Sequence, residues 1–491
     1  MRSSVSALRI LGAALILSLA CPNIVRAQFW TALNHQPCSA GQPCFGPGTA
    51  LLLTDGTVMA QGSGGGNWFR LTPDNTGSYK NGTWSQLASL PAGYGPLYFA
   101  SAVLPDGRVI VEGGEYNFFV PENNTRGAIY DPTADTWTSV APPPGWCCIG
   151  DAQGIVLANG QFMLANAGTE QQALLDAAKL TWTPTGTGKA DSNNEEGWTL
   201  LPNKQVLTID TRNGTNSEVY VPASGKWHSA GSTIVPLSAG AEIGPAVLRP
   251  DGTVFATGAS GHNAIYNTST DTWTVGPDFP VSPQGQLSID DGPASLLPNG
   301  NVLCDTSPSG GPPSYFFEFD GANLIQVTGP PNAPFDGSFF GRMLVLPTGE
   351  ILFTDGSTDV ELFTFSGPSR AIMSSGSYNP HWAPKIQSSP STVSPGGSYV
   401  ISGHHFNGFS QGAAYGDNAQ SATNYPLVRI TNLTTGHVFY SRTHDHSSMA
   451  VAFGGTVSTH FDVPDNQEVG ASSLVVVANG IPSEPIPVNV E

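Results

Sequence analysis

Charge is scarce in this chain of 491 residues. Asp, Glu, Lys and Arg make up 11% of it, and only 18 residues are basic against 37 acidic. The net charge of −19 argues against a nucleic-acid partner, because phosphate binding needs a basic patch and none is visible. Nothing in the apolar pattern repeats with helical or heptad period over a long stretch, which excludes a coiled coil. Long hydrophobic runs are also missing. The one apolar run, residues 10–20, is short for a membrane span, so the mature chain is expected to hold no integral membrane segment.

That run has the features of an export signal. Arg2 and Arg9 precede it, and Val25-Arg26-Ala27 has the small-x-small character of a cleavage site. Residues 1–27 are therefore expected to be a signal peptide, with the mature protein starting at Gln28 and located outside the cell or in the periplasm. A lipoprotein start at Cys21 is the alternative, although Ser18-Leu19-Ala20 departs from the usual Leu-small-small pattern. Five of the six cysteines lie beyond the signal. Cys38 and Cys44 bracket a Gly/Pro loop that export could close as a disulfide. Cys147 and Cys148 are adjacent, where a bridge would be strained, and Cys304 reads as a small core residue.

What the chain has in quantity is turn formers: 58 Gly and 41 Pro, about a fifth of the residues. With 39% hydrophobic residues it is not disordered, and the combination suits an all-β protein. The length exceeds one ordinary core and points to several domains or a repeat with an appendage.

The repeat is visible by eye. "GTALLLTDGTVMAQG", "ASAVLPDGRVIVEGG", "AQGIVLANGQFMLANAG", "EGWTLLPNKQVLTID", "GPAVLRPDGTVFATG", "GPASLLPNGNVLCD" and "GRMLVLPTGEILFTDG" each give an apolar strand, a turn and a second apolar strand. Asp-Gly and Asn-Gly favour a two-residue turn because both positions accept positive φ. The turn positions Gly56, Gly107, Gly160, Lys204, Gly252, Gly300 and Gly349 recur every 44 to 53 residues, with Lys204 the one departure. A third strand follows each hairpin, and a fourth often carries a tryptophan: Trp84, Trp137, Trp182, Trp227 and Trp273. Four strands per repeat predict a seven-bladed β-propeller over residues 28–382. Its last unit lacks a fourth strand, and "QFWTAL" with Trp30 is spare at the mature N-terminus, so this strand is expected to close the ring. Residues 383–491 change to short strands alternating in period two, as in an immunoglobulin-like sandwich.

Kelch-like repeats followed by "YPLVRITN", "RTHDHSSM" and "FDVP" resemble the galactose oxidase family across residues 28–491. The resemblance implies an all-β fold of a Kelch-type propeller and an immunoglobulin-like domain, and a carbohydrate or polyol ligand. The family's copper-radical site, two tyrosines, two histidines and a cross-linking cysteine, does not carry over. The cysteine falls on Asp151, the cross-linked tyrosine on Glu195 and the Tyr-His pair on Phe339-Phe340. Only the loop histidine survives, as His444, which is expected to enter the propeller axis. Copper is therefore disfavoured.

At the same offset before the turn, successive repeats give Asp151, Glu195-Glu196, Glu242 and Asp290-Asp291, while the other three give Pro47, Tyr98 and Phe340. Inner strands converge on an axis, so these acids are expected to meet there. Crowded carboxylates repel and are costly to bury ionised. A cation would offset this: carboxylates alone suit Ca²⁺ or Mg²⁺, and the addition of His444 and His446 suits Mn²⁺, Fe²⁺ or Zn²⁺. Alternatively, Glu195, Glu196, Asp151 and His444 supply acid/base catalysis through a raised carboxyl pKa, or the acids are simply solvated. Asp151, Glu195, Glu242, Asp290, His444 and His446 are the candidate metal ligands. Trp146 and Trp198, beside the acids, are candidate sugar-stacking residues. His404-His405, His437 and His460 read as turn or strand residues, and "GSGGGNW" as an inter-strand loop. Two functional classes remain: a glycan- or polyol-directed protein acting at the axis, and a non-catalytic binding or adhesion module. A copper oxidase with displaced ligands is a third.

Overall fold

A computed structural model describes residues 29–365, 378–416 and 421–491; the signal-peptide expectation for residues 1–27 lies outside them. The described chain is all-β, with two 3₁₀ turns, Ser338–Phe340 and Pro380–Trp382, as its helical elements. Antiparallel four-stranded sheets follow one another along the sequence. Six of them hold the short strands Pro47–Leu52, Ala100–Val103, Gly154–Val156, Thr199–Leu200, Ala246–Leu248 and Arg342–Val345 at one edge, while Pro293–Leu296 lies in a larger, seven-stranded sheet. Most of these short strands contact the next one in sequence, and Arg342–Val345 packs back on Pro47–Leu52. The last sheet is completed by Phe29–Ala32, which pairs antiparallel with Glu361–Thr364 and sets Trp30 opposite Phe363.

The turns differ in detail from the expected type. Only the glycine of each Asp-Gly or Asn-Gly pair is left-handed, from φ 76° at Gly56 to 87° at Gly160 and Gly300. Gly107 N donates to Leu104 O, and Leu104 N donates to Arg108 O. That is a type I turn followed by a left-handed residue, which tolerates Pro105 at its first corner. Lys204 takes the same left-handed station at φ 71° without the glycine.

Tryptophans on the fourth strands fasten sheet to sheet. Trp137, Trp182 and Trp273 donate their indole N–H to Ala88 O, Ala141 O and Ser217 Oγ, each in or beside the preceding sheet, and Trp227 does so to Gln172 Oε1. Cross-strand tyrosines pack beside three of them, with Tyr266 and Trp273 centroids 5.0 Å apart. Their first role is thus packing. Cys38 and Cys44 form the anticipated disulfide, Cys147 and Cys148 are free with Sγ atoms 3.2 Å apart, and Cys304 is buried.

From Lys385 onward the strands form a separate sheet system with its own core, including Ile401, Val428, Phe461, Leu474 and Val488. This part packs on the turn end of the first strands. Thr443 N donates to Thr54 O (3.1 Å), His446 N to Pro105 O (3.1 Å) and Met449 N to Ala158 O (3.0 Å). From it one strand, Ala413–Tyr415, runs inward and pairs with Pro293–Ser295. Gln411 beside it accepts a hydrogen bond from Leu200 N across the ring (2.8 Å). The inserted segment is therefore 411–416, not the His444 loop.

Candidate functional site

The acids lie just before the first strands, at the end opposite the turns. The backbone there repeats: Tyr98, Gly150, Glu195, Ala241 and Asp291 are all left-handed, with φ between 52° and 79°. For residues other than glycine this conformation costs on the order of 1 kcal/mol or more and tends to persist where function requires it. Tyr98, Glu195 and Asp291 sit on this kink themselves, and Asp151 and Glu242 follow it by one residue.

Glu195, Glu242 and Asp291 offer carboxylate oxygens that all lie within 4.8 Å of one another. Asp291, rather than the anticipated Asp290, completes this group. Asp290 and Asp151 stand close enough to raise the Asp291 pKa, which is already pushed well above the usual range by burial and by Glu242. Burial, then Glu195 and Asp290, push Glu242 up to about 7, and burial raises Asp290 as well. Glu242 Oε2 and Asp291 Oδ1 are sealed from solvent with no protein N–H directed at them. Two carboxylates accept hydrogen bonds only, so their contact requires a shared proton or a cation. Glu115, also raised by burial and by Glu195, borders the same group.

Arg342 brings the local positive charge. Its guanidinium lies 3.3 Å from the Tyr415 ring centroid and 5.6 Å from that of Tyr98, and the two tyrosine rings are parallel 6.3 Å apart. Nη1 donates to Phe339 O and Gly341 O, both at 2.8 Å, which locks the planar group in place. Burial, opposed by Arg342, pushes the Tyr98 hydroxyl up to about 12, so it stays protonated and can donate. Tyr98 and Arg342 also line a cavity of about 510 Å³ between the first and last sheets, together with Phe119 and Phe340. Phe119 is 63% exposed and, with Phe118, occupies a hairpin tip in which both residues are left-handed. An acidic group, a stacked guanidinium and a half-open aromatic cavity thus adjoin one another. This combination suits a cation and a ligand that has both apolar and hydroxyl faces.

Several sequence expectations need correction. Glu196 does not join the acidic group: it is fully buried, 2.8 Å from Lys189 Nζ, which also contacts Glu218 (2.8 Å) and Asp210 (3.6 Å). Its carboxyl is pushed up to about 8 by burial, against the pull of Lys189. Alternate residues entering a strand point to opposite sides, so only one of the glutamate pair can face the axis. Trp198 is 2% exposed and packs on Trp227, so no sugar ring can stack on it. Trp146 is half-buried and lines a different cavity of about 560 Å³, with Trp182, Pro184 and Lys189. His444 and His446 lie at the turn end, away from the acids. His446 is buried, its Nδ1 2.8 Å from Thr459 Oγ1, and burial lowers its pKa to about 3. Asp151 borders the acidic group without joining its three closest members.

Sequence reasoning missed Tyr415, Arg342, Glu115 and Phe119. Tyr98 stood at the same offset as the acids and could have been found there. Tyr415 arrives on a segment outside the repeat, and no periodic signal marks it.

No protein-family model and no curated protein matches the chain. Among solved structures it is similar to a fungal alcohol oxidase of the AA5 family in complex with copper, at 13% identity and TM-score 0.49, covering 95% of this chain and 99% of that one. It is also similar to virginiamycin B lyase from Staphylococcus aureus, at 10% identity and TM-score 0.48, covering 69% and 99%. The WD40 β-propeller domain of Doa1 gives 11% identity and TM-score 0.44, covering 70% and 100%.

Proposed function

We propose that this is an exported protein that binds, or acts on, a glycan or polyol through a divalent cation held at the axis of a seven-bladed propeller. In this reading residues 28–382 are the propeller and 383–491 an immunoglobulin-like domain. The observation that carries it is the meeting of Glu195, Glu242 and Asp291 within 4.8 Å, beside the cavity lined by Tyr98, Arg342, Phe119 and Phe340. An all-carboxylate donor set suits a hard cation such as Ca²⁺ or Mn²⁺, and vicinal hydroxyls of a sugar can complete its oxygen shell. The aromatic rim offers an apolar face to the ring. Support for the propeller comes from contacts among the first strands, including Arg342–Val345 packed back on Pro47–Leu52, and from the N-terminal strand on the last sheet.

A copper centre of two tyrosines and two histidines fits these residues poorly. Tyr98 and Tyr415 stand near the acids, but among the described residues no imidazole joins the Glu195, Glu242 and Asp291 group. Elemental analysis of the mature protein, purified without added metal, tests the proposal directly. One equivalent of Ca or Mn is expected, lost in Glu242→Gln and Asp291→Asn together with ligand binding on a glycan array. Stoichiometric copper with a tyrosyl-radical absorbance band would establish an oxidase instead. If neither substitution alters metal content or glycan binding, the axial site is wrong and the binding-module alternative gains.

A further inference from the structure

At the turn end of the molecule a second group of ligating side chains is assembled, independent of the axial acids. Strands Val438–His444 and Val457–Asp462 are antiparallel neighbours, with His444 directly opposite His460 and Arg442 opposite Asp462. Asp445, just past the first strand, is left-handed at φ 53°. That strained backbone returns its carboxylate to the imidazoles: Oδ2 is 2.8 Å from His444 Nδ1 and 3.6 Å from His460 Nδ1. One ligand atom from each of His444, Asp445 and His460 falls within 4.8 Å of the other two.

Those spacings match a small cation. With bonds of about 2.0–2.2 Å, ligand atoms around a tetrahedral ion stand roughly 3.3–3.6 Å apart. Small side-chain rotations bring the 2.8 and 3.6 Å separations into that range. The other ring nitrogen of His444, Nε2, is 3.2 Å from Asp462 Oδ1, while Asp462 Oδ2 accepts from Arg442 Nη1 at 3.2 Å. An imidazole that turns one nitrogen to a site and gives its other N–H to a carboxylate has the orientation and tautomer typical of a metal ligand. Two imidazoles and one carboxylate suit Zn²⁺ and not Ca²⁺ or Mg²⁺, which require more oxygen donors.

We propose that His444 Nδ1, Asp445 Oδ2 and His460 Nδ1 form a Zn²⁺ site, with Asp462 as the positioning residue. Three protein ligands leave a coordination position for water or a small anion. Asp445 also lines a neighbouring groove of about 530 Å³ with Asp106, Asn159 and Asp176. His446 takes no part, because its ring is buried against Tyr425.

The test is Zn²⁺ titration of the EDTA-dialysed mature chain against a chromogenic chelator, with Co²⁺ absorbance as a second readout of coordination. The wild type should bind one equivalent and give the visible band of four-coordinate Co²⁺. His460→Ala and Asp445→Asn should each weaken binding at least tenfold and abolish the band. Both side chains are about half exposed, so these variants keep the fold even if His444→Gln does not. Asp462→Asn should weaken binding while keeping the band, and His228→Ala, at an exposed imidazole outside the group, should leave both readouts unchanged. Absence of saturable Zn²⁺ binding overturns the site. So does wild-type affinity in His460→Ala and Asp445→Asn, or loss of binding in His228→Ala alone.

Discussion

The axial acids should make stability depend on pH and on a cation in opposite senses, and Glu242→Gln separates the two. Burial, with Glu195 and Asp290, pushes the folded Glu242 carboxyl to about 7 from an ordinary 4.5. Between those pH values the folded protein holds a proton that the unfolded chain has released. The contribution of this group is therefore fully present below about 4.5 and is lost as pH rises through about 7. The full shift corresponds to about 3 kcal/mol, and solvent screening of a half-exposed group reduces it to roughly 1–2 kcal/mol. An unfolding entropy near 2 cal/mol/K per residue makes 1 kcal/mol worth about 1 °C in Tm for a cooperative unit of this size. A cation at a hundred times its Kd adds about 2.7 kcal/mol, or roughly 3 °C. In differential scanning fluorimetry at pH 8, wild type should thus gain about 3 °C from Ca²⁺ or Mn²⁺, and less at pH 5, where Glu242 is protonated. Glu242→Gln should be about 1–2 °C more stable than wild type in chelator and should lose the cation increment. A variant that is less stable in chelator, or that keeps the full increment, would refute the reasoning.

Three further outcomes follow from the packing. Lys189→Met leaves Glu196, Glu218 and Asp210 without their shared cation and should cost about 3–5 kcal/mol, read as a lower denaturation midpoint; adding Glu196→Gln should recover part of it. Trp273→Phe removes the indole bond to Ser217 and should cost about 1 kcal/mol or more in urea unfolding, with near-wild-type far-UV circular dichroism. Phe119→Ala, at an exposed tip, should leave Tm within about 1 °C but weaken glycan binding measured by calorimetry.

The sheet sequence was legible because each repeat carries its own turn chemistry. A left-handed residue after a polar one fixes one hairpin, and seven copies, six with glycine and one with Lys204, fix the order of the strands. The acids were legible for the same reason, since their offset from the turn is a property of the repeat. Two things were not. Adjacent glutamates at 195 and 196 look equivalent in sequence, yet Glu195, on the kink, joins the acidic group and the other pairs with Lys189. The segment that fills the axis also lies outside the repeat. Family resemblance drew attention to His444, whereas Tyr415 arrives there on a strand whose pairing with Pro293–Ser295 is set by long-range packing.

The strand Phe29–Ala32 pairs with residues more than three hundred positions later in the chain. During synthesis it emerges long before Glu361–Thr364 and has no partner until that strand is made. Bringing such distant ends together carries a large loop-closure entropy, so this pairing belongs among the late events of folding. Until then Trp30, whose ring ends against Phe316, Phe353 and Phe363, stays outside its pocket. Its fluorescence, isolated from the other tryptophans by substitution, would report the moment at which the ring closes.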